Sequence, residues 1–87
     1  MREMKLRVLE AVDNHWGKAR FGPTVEEIRV EVGLQARSSV QFHINSLLDD
    51  GLLIHVPLKH RTLRTSDKGK RLVRKMRGDV VDSEGEE

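Results

Sequence analysis

Arg37, Ser38 and Ser39 stand just ahead of Gln41, Phe42 and Asn45, in a stretch whose apolar residues recur at helical spacing. Val40, Ile44, Leu47 and Leu48 share one face of such a helix, and Ser38, Ser39, Gln41, Phe42, Asn45 and Ser46 occupy the other. The amides of Gln41 and Asn45 each carry a donor and an acceptor side by side. That pattern matches N6 and N7 of adenine in the major groove of a duplex. Arg37, Ser38 and Ser39 fall at the helix start, where free backbone amides and the helix dipole favour a phosphate. Phe42 is the apolar exception, able to touch a thymine methyl, to pack on another protein or to fold down onto the wing. Asp49 and Asp50 would repel phosphate, so only the first half of the helix suits a groove.

A net charge of +2 over 87 residues conceals a strong division. Residues 59–77 hold Lys59, Arg61, Arg64, Lys68, Lys70, Arg71, Arg74, Lys75 and Arg77 against the single acid Asp67. Residues 78–87 hold Asp79, Asp82, Glu84, Glu86 and Glu87 and no base. A concentrated basic block binds a polyanion by displacing its condensed counterions, which an evenly spread charge would not do. Lys59, His60, Arg61 and Arg64 are therefore candidate phosphate contacts, with Lys70, Arg71 and Arg74 extending the footprint. The acidic segment 78–87 is expected to be a disordered tail, and it has the composition to fold over the basic block as a mimic of DNA.

Other chemistry finds little support. Cysteine is absent, which removes disulfides, thiolate nucleophiles and cysteine-ligated metals. Of the four histidines, His55 and His60 have zinc-compatible separation, but no cysteine pair or carboxylate cluster completes a ligand set. Nothing sets a serine beside a paired histidine and acid, and no glycine-rich phosphate loop follows a strand. No enzyme, cofactor or metal is expected. No apolar run is long enough to span a membrane and no signal peptide follows Met1, so the expectation is a cytoplasmic protein without a membrane partner.

These residues must be held by elements that the pattern also predicts. Leu6, Val8, Leu9, Val12 and Trp16 mark a helix from about Arg2 to Trp16, weakened by Asp13, Asn14 and Gly17. Thr24 and Glu27 have capping-box spacing ahead of Ile28 and Val32, and Gly33 suits a helix end, giving a helix over 25–32. A third helix spans 37–50, closed by Gly51. Residues 52–56 and 61–65 form a hairpin with a loop of about four residues, 57–60. Ser66 caps a last helix over 67–77, with Leu72, Val73 and Met76 apolar. The fold class is mainly α with a small β-hairpin: a winged helix-turn-helix with an added C-terminal helix, in one domain over 1–77.

From about Arg7 to Gly51 the chain resembles the DNA-binding domain of LexA-type repressors. The resemblance runs through Val8, Leu9, Val12 and Trp16, then Gly22-Pro23-Thr24, Glu27-Ile28, Val32-Gly33-Leu34, Ser38-Ser39-Val40 and His43-Ile44, to Asp50-Gly51-Leu52-Leu53. Arg61-Thr62-Leu63-Arg64 is similar to the family's second wing strand. The resemblance implies a winged helix-turn-helix that reads the major groove with Ser38, Ser39, Gln41 and Phe42. The sequence departs from the family at Phe42, usually a small or polar residue, and stops before the serine–lysine protease domain that follows in LexA proteins. The expectation is a double-stranded DNA-binding transcriptional regulator with helix 37–50 in the major groove and wing 53–65 on the phosphate backbone. A homodimer is expected, with Leu72 and Met76 of the last helix as its contact. The alternative is a winged-helix adaptor that binds protein in a replication or transcription complex, for which exposed Phe42 and the acidic tail speak.

Overall fold

Helix α1 (Met4–Lys18) buries Val8, Leu9, Ala11 and Val12 on one side. The computed structural model describes residues 3–56, 59 and 61–78. The helix runs past the expected end at Trp16 because the residues that should weaken it are occupied elsewhere. Asp13 accepts from the Thr65 hydroxyl at 3.3 Å and pairs with Arg77 at 3.0 Å, and Arg77 also reaches Asn14. Side chains so engaged no longer compete for the local backbone.

Helix α2 (Val25–Val32) begins on the expected capping box. The Glu27 amide donates to the Thr24 hydroxyl at 3.1 Å, and the Thr24 amide donates to the Glu27 carboxylate at 2.8 Å. Gly33 takes the left-handed conformation, and the amides of Gly33 and Leu34 both donate to the Arg29 carbonyl. This closure turns the chain within four residues into α3 (Arg37–Asp49). Val40, Ile44 and Leu47 of α3 are buried, and Leu48 packs at the edge of the same core.

The hairpin is shorter than the sequence pattern predicts. Strands β1 (Leu53–Ile54) and β2 (Arg64–Thr65) pair antiparallel, Leu53 opposite Thr65 and Ile54 opposite Arg64. The connection therefore spans 55–63 instead of 57–60; Pro57, Leu58 and His60 lie outside the described residues. The missing pairs have other partners. The Trp16 indole donates to the Leu63 carbonyl at 2.6 Å, and the Gly22 amide donates to the Arg61 carbonyl at 2.7 Å. Arg61 itself adopts φ 59°, which turns the chain away from the ladder. Val56 bonds the Thr62 side chain in place of a backbone partner, its amide donating to Oγ1 at 2.9 Å.

Helix α4 (Asp67–Arg77) follows at once. The Ser66 hydroxyl accepts from the Gly69 amide at 3.0 Å and donates to the Gly51 carbonyl at 2.6 Å, so one cap also ties α4 to the end of α3. Gly69 lies against the Leu52 carbonyl, where a β-carbon would collide. Val73 is buried in the common core, with Leu72 and Met76 packed against it. The residues expected to make a dimer contact are thus half-consumed within the chain. Element order and packing are mainly helical with a small hairpin, consistent with a winged helix-turn-helix plus a C-terminal helix. The segment 79–87, expected to be a tail, lies outside the described residues.

Candidate nucleic-acid interface

The outer face of α3 is open along its first two turns. Arg37, Ser38, Ser39, Gln41, Phe42 and Asn45 are all exposed, Phe42 at 70%. Ala36, the residue before α3, offers no side-chain cap, so its first-turn amides have no such acceptor. The Gln41 Nε2 donates to Asn45 Oδ1 at 2.9 Å, one helical turn away. This contact leaves Gln41 one further N–H and its carbonyl oxygen for a ligand. Phe42 lies edge-on to His43, ring centres 5.6 Å apart.

Beside this face runs a groove of about 530 Å³ between the start of α2, the inner side of α3 and the wing. Gln41, Lys59, Thr24, His55 and Thr62 are among its lining residues. Lys59 is exposed and takes part in no ion pair among the described residues. Arg37 stays 3.8 Å from Glu26 and remains 72% exposed, since Glu26 is held chiefly by Arg29 at 2.7 Å. The Arg29 hydrogen bond is the main reason the Glu26 carboxyl titrates below its ordinary range.

Arg61 behaves differently from the free phosphate ligand that the sequence pattern implies. Its guanidinium pairs with Glu27 at 3.1 and 3.3 Å and lies 4.7 Å over the Phe21 ring. The Thr24 amide, and then Arg61, hold the Glu27 carboxyl below its usual value. Arg61 therefore clamps the wing to the start of α2. Arg64 is exposed on β2, on the opposite side of the wing from Lys59's groove. Lys70, Arg71 and Arg74 are exposed on α4, which packs on α1 and β2. The first turn of α4 meets the far end of α3, where Lys68 donates to the Asp50 carbonyl at 3.1 Å. A thirteen-residue helix is about 20 Å long, so that end is well removed from Arg37–Gln41. The structure does not gather these three cations with the α3 face. His60 lies outside the described residues.

Asp50, expected to repel phosphate, is paired with Lys5; that hydrogen bond, with a smaller contribution from Lys68, depresses its titration. One exposed cation escaped the sequence reading. Arg20 sits in the α1–α2 connection and lines a second groove with Arg64; no periodicity marks it, because it belongs to no element.

The chain is similar to several LexA repressors. It is 35% identical over 63 residues to that of Lacticaseibacillus casei (strain BL23), covering 72% of this chain and 28% of the repressor. With the Oenococcus oeni LexA repressor it shares 38% identity over 67 residues, 77% of this chain and 32% of the relative. With that of Limosilactobacillus reuteri (strain DSM 20016) it shares 43% over 49 residues, 56% and 24% respectively. The chain thus spans about a third or less of the length of these curated relatives. No family model matches it, and no solved structure matches it.

Proposed function

We propose that this chain binds double-stranded DNA as a transcriptional regulator. The first half of α3 enters the major groove and wing 53–65 follows the phosphate backbone. The observation that carries the reading is the exposed polar face of α3, free of acid until Asp49, beside an open groove that Gln41 and Lys59 both line. Gln41 reads an adenine edge, Arg37 and the first-turn amides hold one phosphate, and Lys59 and Arg64 hold others. Similarity to LexA repressors supports the same reading. With Arg61 engaged by Glu27, about three phosphates are contacted, giving a salt slope near −3. Binding to duplex DNA at about 50 mM salt, weakening along that slope, is the expected result. Absence of binding, or binding indifferent to salt, refutes it.

Two copies on half-sites one helical turn apart belong to this proposal. Because Leu72 and Met76 already pack on the chain's own core, the dimer forms on DNA more readily than in free solution; sedimentation with and without a palindromic duplex tests that order. The second reading, a protein-binding adaptor, draws on Phe42 at 70% exposure. Phe42→Ala separates the two, since an adaptor loses its partner while a DNA reader keeps its salt-dependent affinity.

A further inference from the structure

The outer side of the wing carries a second groove, of about 390 Å³, that the DNA reading does not use apart from Arg64. Its floor is apolar: Trp16, Phe21, Ile54 and Val56, the last three being 46%, 40% and 49% exposed. Arg20 and Arg64 stand in its wall, and neither is in an ion pair among the described residues. An apolar floor with unpaired guanidinium groups beside it fits a peptide that combines small aliphatic side chains with carboxylates.

The chain contains one such segment. Residues 79–87 carry five carboxylates and no base, and their only aliphatic residues, Val80 and Val81, are adjacent. The segment also starts from the correct edge of the molecule. Arg77, one residue before the closing Gly78, pairs with Asp13 at 3.0 Å, and Asp13 accepts from Thr65, the strand neighbour of Arg64. Nine extended residues cover about 30 Å, which is the length of chain the segment has for crossing from Gly78 to the groove.

We propose that residues 79–87 dock in this groove of the same chain, with Val80 and Val81 on Phe21, Ile54 and Val56 and with Asp79 and Asp82 toward Arg20 and Arg64. The inference does not rest on DNA binding, although Arg64 is also the phosphate contact proposed above and the two ligands would compete for it. The absence of cysteine provides a clean test. Ser83→Cys in the full chain takes a single nitroxide label, and backbone amide signals report which residues it approaches. At about 50 mM salt, selective broadening at Phe21, Ile54, Val56 and Arg64 is expected, lost in the Val80→Ser/Val81→Ser variant. Broadening centred on α3 or α4, or broadening unchanged by the valine substitutions, overturns the proposal. So does the same pattern in a mixture of isotope-labelled and spin-labelled chains, which assigns the groove to a second copy.

Discussion

Replacing Gly22 by alanine tests whether the wing is seated on the α1–α2 connection or merely lies beside it. The backbone at Gly22 is outside the left-handed region, so alanine can adopt it without strain of its own. The added β-carbon, however, would meet the wing's main chain, with Leu63 N at 2.8 Å and Arg61 O at 3.0 Å. Main chain does not swing aside as the tip of a long side chain does, so the wing must move. Overpacking of this kind costs about 1–3 kcal/mol. Strain or loss of the Gly22 amide bond to Arg61, now 2.7 Å, adds about 1 kcal/mol. A total of about 2–4 kcal/mol lowers Tm by roughly 10–30 °C in a domain of this size. Urea unfolding followed by Trp16 fluorescence is the suitable assay, since Trp16 is the only tryptophan and its indole bonds the wing at Leu63. Gly17→Ala is the control: it lies within α1 with nothing inside 4 Å of its added β-carbon, and gains about 0.5–1 kcal/mol. If Gly22→Ala unfolds within about 0.5 kcal/mol of the parent, the close approach of wing and connection is wrong.

The remaining predictions concern recognition and the wing clamp. Gln41→Ala should cost about 1–3 kcal/mol on the preferred duplex and little on others, measured by selection from a randomised pool. Arg64→Ala should weaken all duplexes alike and reduce the salt slope by about 1, as titrations at several salt concentrations will show. Arg61→Ala should instead lower Tm while leaving the slope nearly unchanged, because its charge is already engaged by Glu27; a slope change equal to that of Arg64→Ala would return it to the phosphate ligands. The folded-state titrations of Glu26, Glu27 and Asp50 are depressed, so their contribution is complete above their ordinary unfolded values, 4.5 for the glutamates and 3.8 for Asp50. It is lost as pH falls through the lower folded values. Melting temperatures between pH 6 and pH 2, on the order of one measurement per unit, should show this decline, and it should be shallower in Glu27→Gln.

The four helices were legible in the sequence because their signals are local. The stripe Val40, Ile44, Leu47, the box Thr24–Glu27 and the cap Ser66 each act within one or two turns of chain, and α2 and α4 begin and end where those residues predict. The exposed α3 face followed from the same periodicity, being the complement of the buried one. The wing was not legible to the same degree. Its strands were expected over 52–56 and 61–65, yet only two residues of each pair, because Trp16 and Gly22 take the carbonyls of Leu63 and Arg61.

The same limit explains Arg61. Its type and neighbours marked it as a phosphate ligand, and only the fold brings Glu27, 34 residues away, within 3.1 Å. Likewise α4 was legible as a helix, but its docking on α1 through Arg77, which sets Lys70, Arg71 and Arg74 apart from the reading face, was not. Periodicity and capping are short-range properties of the chain and survive in its one-dimensional order. The partner of a charge and the length of a strand depend on which distant groups compete for the same donors and acceptors, and packing alone decides that competition.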